Sequence, residues 1–183
     1  MIADETLARR IQNGDRLAVD PLVERHYSPL IGYLYRMTGG DRALAEDLAH
    51  ETFMRAIASI AQYQHPRPFK AWLYAIATNA ARNHYKSADQ RLTTSAGDEF
   101  PEIADDQPID AVLIEGEEAA AVIQALDSLP DHQREVVLLY YYQQFSMQEI
   151  AETLQIPVGT VKSRLSIGIS RLRERMKAID YGR

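Results

Sequence analysis

"SMQEIAETLQIPVGTVKSRL", residues 146–165, reads as two short helices joined by a tight turn. Ser146 and Glu149 form a capping-box pattern, in which hydroxyl and carboxylate each take up a backbone donor at the helix start. Ile150, Ala151 and Leu154 then face inward, and the small Ala151 lets two helices cross closely. Ile156 closes the turn, and Pro157 stands where a first-turn proline is tolerated. On the second helix Val158, Val161, Leu165, Ile169, Leu172 and Met176 recur at three- and four-residue steps. At roughly 100° per residue they make one apolar stripe. Thr160, Ser163, Ile167 and Ser170 lie opposite it, flanked by Lys162 and Arg164. Small polar and basic groups near a helix start are what reading base edges in a major groove requires. A solvated surface accounts for the basic residues alone, but not for the cap, the turn and the inward pattern together. Ile167, apolar on the polar side, suits a thymine methyl or a protein partner.

DNA binding sits oddly with a chain of 183 residues that carries 20 Lys and Arg against 26 Asp and Glu, a net charge of −6. The charge is segregated, which removes the conflict. Residues 1–87 hold 11 basic and 9 acidic side chains, net +2; residues 134–183 hold 8 and 5, net +3. Residues 88–133 hold Arg91 against 12 acids, net −11. There is no cysteine, which excludes disulfides, thiolate nucleophiles and Cys-ligated zinc. The start, MIADETLARRIQNGD, is too charged for a signal peptide, and the apolar run "VVLLYYY" is far too short to span a bilayer. These features predict a cytoplasmic protein without membrane insertion.

Helical periodicity dominates the rest of the chain. It predicts helices over 4–13, over "PLVERHYSPLIGYLYRM" with a kink at Pro29, over about 41–61, and from Phe69 to about Lys86. Gly39-Gly40 stops the second and Asp41 caps the third. Residues 88–115 have little periodicity, two prolines and a run of acids, and read as a linker. Further helices are expected at about 116–128, 131–144, 146–154 and 157–179. The fold class is therefore all-α.

In "PFKAWLYAIATNAARNHYK" the pattern places Phe69, Trp72, Leu73, Ile76 and Ala80 inward, and Lys70, Tyr74, Thr78, Arg82 and Tyr85 on the other side, with Asn79 and Asn83 at the border. Two readings stand. Aromatic rings interleaved with cations suit single-stranded nucleic acid, where bases stack and phosphates pair; equally, this is a core helix with tyrosines at its rim. On the preceding helix Leu44, Leu48, Thr52, Phe53, Ile57 and Ile60 share one side, and Asp47 and Glu51 lie four apart on the other. Those carboxylates lack a pocket and a nucleophile, so they mark either a solvated face or a docking patch for a basic partner. The five histidines show no zinc spacing, and neither a P-loop nor GxGxxG occurs, so no metal, cofactor or enzymatic activity is expected.

Taken together, "AEDLAHETFMRAI", "PFKAWLYAIATNAARN", the acidic linker and "LPDHQREVVLLYYYQQFSMQEIAETLQIPVGTVKSRL" resemble the extracytoplasmic-function (ECF) sigma factors of bacterial RNA polymerase, in the sigma-70 family. The resemblance covers about 2–86 and 116–179. It implies two small helical domains, sigma domain 2 over 1–87 and a helix-turn-helix sigma domain 4 over 116–183, joined by an acidic flexible linker at 88–115 that threads toward the RNA exit path. The implied partners are the clamp coiled coil and flap of core polymerase, promoter DNA and an anti-sigma factor. Asp47, Leu48, Glu51, Thr52, Phe53 and Ile60 match the helix that docks on the clamp. Tyr63 and His65 in the loop 62–69, then Lys70, Trp72, Tyr74, Asn79, Arg82 and Asn83, match the part that opens the minus-ten element and holds a flipped base. Thr160, Lys162, Ser163, Arg164, Ser166 and Ile167 match the minus-thirty-five reader, in a helix-turn-helix over about 147–166. After "VKSRL" many relatives carry aromatic, His or Arg residues, whereas this chain has Ser166, Ile167 and Gly168, which removes a phosphate contact. Two rivals share parts of the pattern: a helix-turn-helix regulator, whose receiver-like β/α alternation residues 1–87 lack, and a sigma-like decoy that binds only an anti-sigma protein.

Overall fold

Helix α1 (Asp4–Gln12) opens on Asp4 and Glu5 and closes on Arg9 and Arg10, so its charges complement the helix dipole at both ends. Asp4 also ties α1 to α2 (Val19–Met37), bonding Arg25 and lying 2.8 Å from His26 Nε2. Helix α2 runs through Pro29 and stops at Gly39 and Gly40, both left-handed, with φ of +64° and +89°. The Asp41 carboxylate accepts from Leu44 N at 3.0 Å and caps α3 (Arg42–Ala58). A 3-10 turn at Ile60–Gln62 leads to α4 (Phe69–Asp89). Then follow α5 (Glu117–Asp127), α6 (Asp131–Tyr141), α7 (Met147–Leu154) and α8 (Val158–Asp180). The computed structural model describes residues 2–89 and 117–180, and side chains over 2–85 and 120–178. Most of the expected linker, from 90 on, lies outside these. Among the described residues the chain is all-helical, as expected.

Several boundaries differ from the periodicity: α3 ends at Ala58 and not 61, and α4 continues past Lys86 to Asp89. A separate 3-10 turn at Arg16–Ala18, with Asp15 accepting from Leu17 N, precedes α2. Helix α6 ends at Tyr141 and not 144, because Gln144 takes a left-handed φ of +56° and turns the chain toward α7.

The helices α1–α4 and α5–α8 share one core. Helix α6 is buried at every position from Gln133 to Leu139, which a helix achieves only when neighbours surround it. Its apolar run faces α8 on one side and α2 on the other. Across this seam Arg36 lies over the Tyr142 ring at 4.3 Å, and Tyr74 meets Phe145 edge-on at 5.5 Å.

Arg134 pins the seam. Its guanidinium is 6% exposed and donates to Leu126 O at 2.9 Å, Asp127 O at 2.8 Å, Leu129 O at 3.0 Å and Met37 O at 2.8 Å. The last carbonyls of a helix have no partner within it. One side chain thus closes the ends of α5 and α2, one from each half of the chain. Replacing Arg134 by Met keeps much of the volume but strands these carbonyls. At about 1–3 kcal/mol for a buried unpaired group, Arg134→Met should destabilise by about 3 kcal/mol or more, read as a lower urea midpoint.

Candidate nucleic-acid interface

The N-terminal helix builds the approach to α4. Glu5 Oε1 accepts from Phe69 N at 3.1 Å, capping α4 from outside it. Gln12 Nε2 donates to Ile60 O and Tyr63 O, both at 2.8 Å, and so holds the loop before α4. Tyr63 is 4% exposed, with its ring 5.6 Å from Phe69 and 5.4 Å from Trp72. It anchors this loop from within, while His65 at the tip is exposed.

Tyr74 and Thr78, expected on the open side of α4, are both buried. Thr78 Oγ1 lies 2.8 Å from Tyr33 Oη, and the Tyr74 ring stands 5.1 Å from Tyr33. Burial pushes both phenols' pKa values well above the usual tyrosine range, so both stay protonated. The reason is that α4 is covered on two sides, by α2 and α3 and again by α7. Asn79 and Asn83 are exposed, and Lys70, Trp72 and Arg82 are half-buried.

What covers the outer side of α4 is the first helix of the helix-turn-helix. Lys70 Nζ donates to Gln143 O at 2.8 Å, and burial lowers its pKa. Arg67 Nη2 donates to Glu152 O at 3.3 Å. Arg82 Nε donates to Glu135 Oε2 at 2.8 Å, and its second nitrogen bonds Oε1. Burial opposes the charge on Arg82, but its bonds to Glu135 outweigh this and raise its pKa. A cavity of about 240 Å³ remains between the halves, with Arg67, Trp72, Asn79 and Arg82 on one wall and Thr153 and Gln155 on the other.

The helix-turn-helix is built as its sequence implies. Ser146 Oγ accepts from Glu149 N at 3.2 Å while Ser146 N donates to Glu149 Oε2 at 2.8 Å, completing the capping box. Gln155 is left-handed, and Ile156 N bonds Ala151 O at 3.0 Å to end α7. On α8 Val161 and Leu165 are buried and Lys162 is exposed. Thr160, Ser163, Arg164, Ser166 and Ile167 are half-buried, with Ser163 Oγ bonding back to Thr160 O at 3.1 Å. Arg164 Nη1 points to Glu135 Oε1, 3.6 Å away.

Gly168 has a packing reason. A Cβ there would stand 2.9 Å from Val137 Cγ2 and 3.5 Å from Gln133 Cβ, so the glycine lets α8 cross α6 closely. Gly168→Ala should force α8 off α6 and cost about 1–3 kcal/mol of stability in denaturant unfolding.

A third surface lies on α3. Leu48 and Phe53 are buried and Thr52 is fully so, which makes these three the helix's seat on the core and not its outer face. Ile60 is half-buried; Asp47 is exposed, and Glu51 pairs with Arg55 at 2.5 Å. Ile57, placed inward by its spacing, faces out at 38% exposure. Met54, 58% exposed, accompanies it, and Tyr27 of α2 stacks on Phe53 nearby. Sequence reading missed Met54 because an isolated apolar residue on a polar face carries little signal, while Tyr27, whose spacing puts it in the apolar stripe of its helix, is exposed. It also missed Arg134 and Glu135, although charges beside a continuous apolar run were a visible signal of a buried pair.

The profile described as Sigma-70 region 2 matches residues 22–91, and that of Sigma-70, region 4, matches residues 119–172. The chain is 36% identical over 178 residues to the ECF RNA polymerase sigma factor SigW of Bacillus subtilis, an alignment covering 92% of this chain and 94% of that one. The chain belongs to the ECF sigma factors of the sigma-70 family. It is an alternative sigma factor that directs transcription initiation. The RNA polymerase sigma-H factor of Pseudomonas aeruginosa is 32% identical, with 88% of each chain covered. Among solved structures, the sigma factor RpoE of Bartonella quintana, in complex with the anti-sigma factor NepR, superposes with a TM-score of 0.69 at 25% identity, covering 86% of this chain and 96% of that one. No described helix of this sigma factor is long and apolar enough to cross a membrane, and the described residues hold no cluster fit for a metal ion.

Proposed function

We propose that this sigma factor, acting in the cytoplasm, docks on the clamp coiled coil and flap of core polymerase and reads a two-part promoter, with residues 1–87 and 116–183 as its two working domains. The observation that carries the docking assignment is the outer face of α3, where Asp47 and Glu51 border exposed Met54 and Ile57. An apolar centre rimmed by charge is the make-up of a protein interface, and the rim's sign suits a basic partner. Asp47→Lys combined with Glu51→Lys should weaken binding to core polymerase by about tenfold or more, with helicity unchanged by circular dichroism. Unchanged affinity would remove the assignment.

Promoter contacts divide between the halves. Asn79, Arg82, Asn83, Trp72 and the exposed loop residue His65 serve the minus-ten element, while Tyr63 and Tyr74 support them from the core. Lys162 and Arg164, with Thr160, Ser163, Ser166 and Ile167, serve the minus-thirty-five element. Arg164→Ala in the holoenzyme should cost about 1–3 kcal/mol in upstream-element affinity if it grips a base edge. Asn79→Ala should spare that step and reduce strand opening, read as lost permanganate reactivity of unpaired thymines. Promoter-dependent transcription with added core polymerase tests the whole reading; a decoy would give none. Because the Bartonella quintana relative was solved with an anti-sigma factor, an anti-sigma partner is proposed here too.

A further inference from the structure

Helix α1 precedes the residues that the region 2 profile matches, which begin at 22. It belongs to neither promoter-reading surface, yet it is firmly seated. Leu7 and Ala8 are buried in the core, and Asp4 bonds Arg25 and His26 of α2. From this fixed rod two side chains reach the loop 62–69 and its approach. Gln12 Nε2 donates at once to Ile60 O and Tyr63 O, and Glu5 Oε1 accepts from Phe69 N. Seven residues make almost two full turns, so Glu5 and Gln12 share one face of α1, roughly 10 Å apart along its axis. Gln12 meets the chain where it leaves the 3-10 turn at Ile60–Gln62, and Glu5 meets it where α4 begins.

Between these two points the loop is open to solvent. Gln64, His65 and Pro66 are exposed, and the span is crossed by Arg67 N on Gln64 O at 3.2 Å and Tyr63 Oη on Arg67 O at 2.5 Å. A loop with free ends samples many shapes, and fixing both ends at a set separation removes much of that freedom. Gln12 is itself exposed, and hydrogen bonds at the surface add little to global stability. Their effect falls on the local shape of the segment they hold.

We propose that α1 is a brace for promoter opening, in which Gln12 and Glu5 are positioning residues that preset the loop 62–69 to receive an unpaired base of the minus-ten element. The brace rests on the assignment of that loop to minus-ten DNA. Neither residue touches DNA; each acts through the backbone of the loop. With both ends held, the tip that carries His65 is ordered before the strand arrives, and the entropic cost of capturing the base falls. Tyr63 and Phe69, the two buried rings that flank the tip, are each tied to α1 through their own backbone.

The test uses holoenzyme assembled from the full chain and core polymerase. Its probe is a single-stranded oligonucleotide of the minus-ten non-template strand, intact or with one base at a time removed to leave an abasic sugar. Glu5→Ala combined with Gln12→Ala takes away both ties. Apparent affinity scales with the fraction of molecules in the competent state, so the variant should bind the intact strand about fivefold more weakly. The largest loss on removing a base should shrink by a similar factor, because a misplaced loop gains little from the base it would hold. Permanganate reactivity of the opened promoter should fall with it, while affinity for an upstream-element duplex stays the same. A merely structural role would lower the urea midpoint and leave the abasic loss as in the wild type, and that result overturns the brace. Should the double variant fail to fold, Gln12→Ala alone is read the same way. A loop variant with Gln64→Gly, His65→Gly, Pro66→Gly and Arg67→Gly together is assayed in parallel. Wild-type opening and abasic loss in the loop variant overturn the minus-ten assignment of the loop, and the brace with it. Loss of both there, beside wild-type behaviour of the Glu5 and Gln12 variants, overturns the brace alone.

Discussion

Helix α6 holds two neighbouring charges, Arg134 and Glu135, in a setting that excludes water from both. Each takes part of its bonding from its own half of the chain and completes it on the other. Arg134 needs the free carbonyls of Leu126, Asp127 and Leu129 from its own half and that of Met37 from the other. Glu135 needs Arg82. Unpaired buried charge is far more expensive than unpaired apolar surface, so these two residues make the meeting of the halves specific in register as well as favourable. The glycines at 39 and 40 follow from the same meeting: side chains there would collide with Asp127 and crowd Ile123, both on α5.

The seam has one electrostatic theme. Lys70 finds the carbonyl of Gln143 just past the end of α6, and Arg67 that of Glu152 in the last turn of α7. Arg134 sits at the ends of α5 and α2. Helix C-termini carry partial negative charge, and Glu135 adds a full one. The cations of α4 and its loop, together with Arg164, thus meet acceptors inside the fold, and Asp131 adds to the field that favours the charge on Arg82. Charge segregation along the chain thus coexists with local pairing of basic side chains inside the fold.

Much of this was legible in the sequence. The capping box at Ser146 and Glu149, the Asp41 cap and the Gly39-Gly40 stop each depend on neighbours in the chain, and periodicity located every helix to within a few residues. The burial of Tyr74 and Thr78 was not legible, because helical spacing reports one inward face and α4 has two. Ile57 failed in the opposite sense, since its spacing matched the core stripe although among the described residues it stays exposed. Gly168 is also the point where α8 crosses α6, which its own helix's spacing does not reveal. In each case the deciding neighbour is remote in sequence. The stretch "REVVLLYYY" did hold a signal: an apolar run too broad for one face says that a helix is surrounded, and the charges at its start must then be paired.

A purely apolar seam between the halves would close tightly but would release greasy surface to water whenever it opened. A seam set by arginines and acceptors behaves differently. In water its opening leaves charges that solvate readily. Apolar contacts accompany these charges, since both halves contribute to one core, and Tyr74 on Phe145 sits near the same charged groups. Closure therefore combines an apolar grip with an ionic register. The shared core supplies most of the grip, while Arg134 on Met37 O and Arg82 on Glu135 decide the register in which the halves meet.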